Sequence, residues 1–168
     1  MTVAQTVADT TALPDLPHPA GAAEDGPKRT VEGVVVKVLV HRREDRGMRL
    51  EPFASRCVRA GEVHELVTTD HRETRPGSRI DRVAFLGFAE ITRAGVLDRG
   101  DRVWVGDRLV GTVLGFDACH FPNHYNVLIA TAETLTGSEL GLLPETAVRF
   151  EPAAGPVGAG ADRPRRSE

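Results

Sequence analysis

Between Asp117 and Asn126 the chain reads Asp-Ala-Cys-His-Phe-Pro-Asn-His-Tyr-Asn, its densest run of groups able to ligate, hydrogen-bond or move a proton. Both asparagines, the single tyrosine, two of the six histidines and one of the two cysteines fall inside it. Three chemistries fit these types. In the first, His120 and His124 act as general acid and base, because an imidazole titrates near ~6.5 and serves both roles at neutral pH. Asp117 then orients one ring, and Asn123, Tyr125 and Asn126 hydrogen-bond substrate oxygens. In the second, Asp117, His120 and His124 bind a divalent metal, with Cys119 or a distant His64 or His71 as a further ligand. His-x-x-x-His is a ligand spacing on a helix, and Pro122 between the two histidines works against a helix there. In the third, the side chains brace the loop, Asn and Asp satisfying turn backbone groups while Tyr125 packs in the core.

The first chemistry leads, as a small-molecule enzyme of the isomerase, lyase or cyclase type with no organic cofactor and no metal. Its catalytic residues are His120, His124 and Asp117. Asn123, Tyr125, Asn126 and Cys119 are its substrate contacts, joined by Trp104 as a cavity wall and by His64, which has Glu62 and Glu65 close by in sequence. Cys119 beside His120 does not make a thiolate dyad, since adjacent residues of an extended chain point to opposite faces. No P-loop, nucleophile elbow, dinucleotide fingerprint or kinase signature is present, which excludes the common nucleotide enzymes.

Composition gives the cluster its weight. Of the 21 basic residues only Lys28 and Lys37 are lysine, and Ala, Gly, Val and Pro are abundant. This is the usage of a G+C-rich coding sequence, in which Asn and Tyr are scarce, so their gathering in one loop implies a physical need. The formal net charge of −3 argues against nucleic-acid and anionic-membrane partners, which require a dense basic face. No window approaches the ~20 apolar residues of a bilayer-spanning helix, and no secretory signal pattern opens the chain, so the expected location is the cytoplasm. The two cysteines do not make a disulfide framework in 168 residues, and Cys57 reads as a small buried side chain.

A rigid scaffold has to present this loop. Residues 1–29 lack aromatic residues and apolar periodicity, and 153–168 are Gly, Pro and Ala ending in charge, so both ends are expected to be disordered. Between them, 30–152 form one mainly β domain. Val34 to Val40 is a near-continuous Val/Leu run, expected of a strand buried on both faces or closing a barrel. Further strands are read at Val63 to Thr69, Asp81 to Phe88, Val103 to Val105, Leu109 to Phe116, Tyr125 to Thr131 and Ala147 to Phe150. Gly87 marks a bulge or close backbone approach, Gly106-Asp107 a tight hairpin with positive φ, and Leu135 to Gly141 a connection holding at most a helical turn. About six or seven strands in a domain of this size make a small flattened β-barrel with at most one or two short helices. Exposed barrel edges would favour a homodimer. Leu86-Gly87-Phe88 is echoed by Leu114-Gly115-Phe116.

The order Gly100-Asp101-Arg102, a hairpin to Val113-Leu114-Gly115, the polar loop, Val127-Leu128-Ile129 and Gly137-Ser138-Glu139-Leu140 resembles the glucitol/sorbitol-specific IIA component of the bacterial sugar phosphotransferase system. The likeness spans Val83 to Phe150. It implies a flattened barrel and a histidine in the loop before the corresponding strand, where His120 and His124 stand, hence the alternative of a non-catalytic ligand-binding or phosphocarrier module. The chain also resembles uncharacterised barrel proteins of high-G+C bacteria, a likeness that implies a fold and no activity.

Overall fold

The computed structural model describes residues 26–72 and 75–153. Twelve strands follow in chain order: β1 (Val31–Val38), β2 (Arg42–Arg43), β3 (Met48–Arg49), β4 (Ser55–Val58), β5 (Val63–Thr69), β6 (Arg79–Ile80), β7 (Val83–Arg93), β8 (Gly95–Asp98), β9 (Arg102–Val105), β10 (Arg108–Asp117), β11 (Asn126–Ala130) and β12 (Ala147–Glu151). The main sheet runs β1-β12-β9-β10-β11-β5-β7-β2, and an added β1–β7 pairing closes seven of its strands into a ring. Every neighbouring pair in the ring is antiparallel except β5 and β11. Each ring strand therefore has partners on both sides, and among the described residues the free strand edges are those of β2 and of the β3–β6 and β4–β8 pairs.

Two apolar clusters explain the strand sequences. The first takes residues from all seven ring strands, including Val35, Leu66, Leu86, Phe116, Ile129 and Phe150, and fills the ring. The second sets Val67, Phe85, Leu114 and Leu128 against Met48, Leu50 and Ile80, so the β3–β6 pair and its flanks cover the outer face of four ring strands. β11 contributes Val127 and Ile129 to one cluster and Leu128 and Ala130 to the other, so it is apolar throughout because both faces are buried. β1 takes the other option its sequence allowed. Its outer residues Val36 and Lys37 are exposed, and the strand closes the ring.

Gly87 is fixed by its surroundings. Its φ is 151°, and a Cβ there would run into the Lys37 carbonyl oxygen on β1. Gly87→Ala combines positive φ with a backbone clash at the ring closure, and should lower the unfolding free energy by about 2 kcal/mol or more, read from the urea midpoint. The echoed Leu-Gly-Phe triplets occupy like places. Leu86 opposite β5 and Leu114 opposite β11 are each the extra residue of a bulge.

Several expectations are corrected. At the β9–β10 hairpin only Gly106 has positive φ, of 59°, while Asp107 does not share it. The expectation at 135–141 holds: a single turn forms there, in which Leu140 N–H donates to Thr136 O, and no helix occurs among the described residues. Thr136 and Glu139 close that turn by reciprocal side-chain-to-backbone bonds, as in a capping box. Most of the expected leader and tail lies outside the described residues. Residues 26–29, expected to belong to the leader, are described, and Lys28 reaches Asp98 and the buried Asp101, each at 2.5 Å. Cys57 is exposed on β4 rather than buried. No described helix is long and apolar enough to cross a membrane.

Candidate functional site

Strand register builds the site before any loop residue enters. Phe88 on β7 is the partner of Glu65 on β5, Glu65 of Asn126 on β11, and Asn126 of Asp117 on β10. Four neighbouring strands thus place Phe88, Glu65, Asn126 and Asp117 in one row at one end of the ring. The loop 118–125 leaves β10 and returns into β11 beside that row.

Asp117 starts the loop. Its Oδ1 accepts from the Asn126 amide at 2.8 Å and from Cys119 N–H at 3.2 Å, and its Oδ2 accepts from Arg49 N–H at 2.9 Å. Burial by itself would push this carboxyl up, and the hydrogen bonds from Cys119, Arg49 and Asn126 outweigh it, holding Asp117 below the usual carboxylate range. Asp117 was expected to orient a histidine. With its donors supplied by the loop, β3 and β11, it is a structural carboxylate that ties those three together. Asn126 is fully buried, and its Oδ1 has no hydrogen-bond partner among the described residues.

From there the loop makes one turn. Asn123 and His124 N–H both point to His120 O, the latter at 3.3 Å, and the Phe121–Pro122 peptide is cis. The His120 to His124 bond is the i to i+4 bond of a helix without the helix, so the doubt raised by Pro122 applies to helical extension and not to the pairing. It brings the two rings into a stack, 5.0 Å between centroids and 24° between planes. His124 is buried, its Nε2 lies 3.3 Å from Glu65 Oε2, and Asn123 Nδ2 lies 3.0 Å from its Nδ1. Phe88 meets the same ring edge to face at 5.1 Å. His120 is exposed, with Arg46 2.9 Å from its Nε2. A guanidinium only donates, so that nitrogen carries the lone pair and the neutral ring carries its proton on Nδ1.

The remaining expected residues divide. Cys119 receives contacts from Arg46 and Asn126, and burial, followed by the Asp117 carboxylate, pushes its thiol up. It is not poised as a thiolate nucleophile. His64 was expected at the substrate. Instead its Nε2 pairs with Glu62 at 2.9 Å and its Nδ1 accepts from Tyr125 N–H at 3.2 Å, so it pins the end of the loop. Tyr125 itself is covered by Arg56, whose guanidinium carbon stands 3.2 Å from the ring centroid, and by Phe121. Trp104 is not at the site. It pairs with Leu109, eight residues up β10 from Asp117, roughly 26 Å at the strand rise, and its indole donates to Glu151.

A pocket of about 300 Å³, lined by Gly47, Arg49, Glu51, Asp117, Ala118 and Cys119, opens beside the loop. Three contributors went unrecognised in the sequence. Arg46 and Arg49 lie in a stretch whose charges carry no periodicity. Glu65 had one available sign, a carboxylate followed directly by the buried run Leu66-Val67.

The ligand atoms of Glu65, His120 and His124 lie within 4.8 Å of one another. Neither Asp117, the carboxylate expected in a metal site, nor Cys119, His64 or His71 belongs to that group. Comparison with known proteins gives one match: residues 25–151 fit the profile of a family described as Family of unknown function (DUF6917). No curated protein and no solved structure matches the chain.

Proposed function

We propose, from the premise that the chain belongs to this family of unknown function, that it is a small-molecule enzyme of the lyase, isomerase or cyclase class. Its reaction centre is the cluster of Glu65, His120 and His124. The observation that carries this is the imidazole stack, with a buried carboxylate on one ring and the half-buried Arg46 guanidinium on the other. Buried Glu65 fixes the tautomer and orientation of His124, as a carboxylate partner does for a catalytic imidazole. His120 stands at the surface with its proton on Nδ1, and exchanges it with substrate. Arg46 offers a fork of donors to a carboxylate, phosphate or developing oxyanion at the same place. Asn123 and the pocket beside Asp117 and Cys119 complete the substrate contacts, and no organic cofactor is required. We place the reaction in the cytoplasm of a high-G+C bacterium.

Incubating the full chain with a cell-metabolite extract and following all masses should show one small molecule consumed and one formed. The double variant His120→Gln/His124→Gln should leave the extract unchanged. If the double variant converts the same molecule at the wild-type rate, the cluster is not the reaction centre.

A phosphocarrier role is the second possibility, and one observation favours it. Arg46 sits 2.9 Å from a ring nitrogen of the exposed His120, where it would neutralise a phosphoryl group. The likeness to the glucitol-specific IIA component belongs with this possibility. Acetyl phosphate would then add one phosphate to the protein, and His120→Gln would prevent it.

A further inference from the structure

We infer that Glu65, His120 and His124 hold a divalent first-row transition metal ion, with at least one coordination position open toward solvent. This rests on the proposal that the cluster is the reaction centre, and it changes how that centre works. Glu65 and the two imidazoles would hold the ion, which would supply Lewis-acid polarisation of a substrate oxygen.

Donor chemistry comes first. Two imidazole nitrogens and one carboxylate oxygen are the ligand set of borderline metals such as zinc, cobalt and ferrous iron, and three protein ligands leave room for a substrate atom. Geometry agrees. Ligands about 2.0–2.1 Å from a tetrahedral ion stand roughly 3.4 Å apart. His124 Nε2 and Glu65 Oε2 are 3.3 Å apart, and all three groups present an atom within 4.8 Å of the others. A rotation of exposed His120 closes the remaining difference.

The decisive contrast is between the two buried carboxylates. Asp117 already accepts from two backbone N–H groups and a side-chain amide, all at 3.2 Å or less. Its charge is met by fixed donors, and it has no need of a cation. Glu65 is 6% exposed, and its one described side-chain hydrogen bond is the 3.3 Å contact to His124. Fixed donors therefore meet little of its charge, which a bound cation would compensate.

The surroundings fit as well. Asn123 lies 3.0 Å from His124 Nδ1, so with its amide turned the carbonyl oxygen accepts the Nδ1 proton and leaves Nε2 for the ion, the usual outer support of a ligating histidine. Arg46, on exposed His120, must move aside if Nε2 is the ligating atom, and then lies next to the open position to meet an anionic substrate.

The test uses the untagged full chain, stripped with a chelator and titrated with Co(II). Visible d–d bands should grow to one equivalent, and Zn(II) should displace the cobalt. Glu65→Gln, His124→Gln and His120→Gln should each weaken binding by about 100-fold or more, whereas Asp117→Asn should keep one equivalent with an unchanged spectrum. His120 is exposed, so His120→Gln reports on the ion even if a buried variant unfolds. Absence of saturable cobalt binding overturns the inference, and so does binding that ignores Glu65→Gln or His120→Gln. Metabolite turnover that survives the chelator but is lost in the double histidine variant would overturn the metal and leave the reaction centre standing.

Discussion

Replacing Glu65 with glutamine is expected to reduce turnover by about 100- to 1,000-fold while changing the thermal midpoint little. Glutamine has the same shape and still offers His124 an acceptor oxygen, so packing between β5, β7 and β11 is kept. What it removes is the negative charge. Without it His124 loses the charged partner that fixes its tautomer and orientation, a contribution within the range of positioned acid–base groups. If the cluster holds an ion, the same change deletes a ligand, and the loss of turnover comes with loss of metal. The measurement is the rate of metabolite conversion beside a thermal melt of the same sample. Unchanged turnover in a folded Glu65→Gln protein would remove Glu65 from the mechanism.

Asp117→Ala should produce the largest loss of stability, about 3 kcal/mol, because it leaves Arg49 N–H, Cys119 N–H and the buried Asn126 amide without their acceptor. Acid should show the same group. The native pKa of Asp117 lies below its unfolded value, so its stabilisation is fully present above the unfolded carboxylate pKa near ~3.9 and is lost as pH falls through the native value. Urea midpoints measured from pH 6 downward should therefore fall more steeply for wild type than for Asp117→Asn below about pH 4. Parallel curves would mean that the Asp117 hydrogen bonds do not hold its charge.

These two carboxylates also mark how far the sequence leads. Six strands of the ring are legible because each is long enough for β-branched runs to show, and four-residue β9 because the Gly106-Asp107 turn marks its end. β2, β3 and β6 have two residues each and β4 and β8 four, too few for a period, and they form because tertiary pairing supplies their partners. The polar loop is legible from composition, since rare residue types cluster there. The carboxylate that completes it is not. Asp117 is adjacent in sequence and looks like the partner of the histidines. Glu65 is 59 residues from His124 and reaches it through the parallel pairing of β5 with β11, which no local pattern records. The same limit misplaced Trp104, whose aromatic character suggests a cavity wall while the register of β9 against β10 sends it to the far end of the strand.

The central claim is that small molecules meet this protein at His120 and His124, over Glu65. The most direct measurement is a spectrum of the full chain carrying isotope-labelled histidine side chains, recorded while a metabolite library is added in pools. Any molecule that binds or is converted should shift the imidazole signals of His120 and His124, with that of His41, stacked on Phe85 at 4.2 Å outside the cluster, left in place. A ligand that binds saturably and moves His41 while His120 and His124 stay fixed would contradict the account.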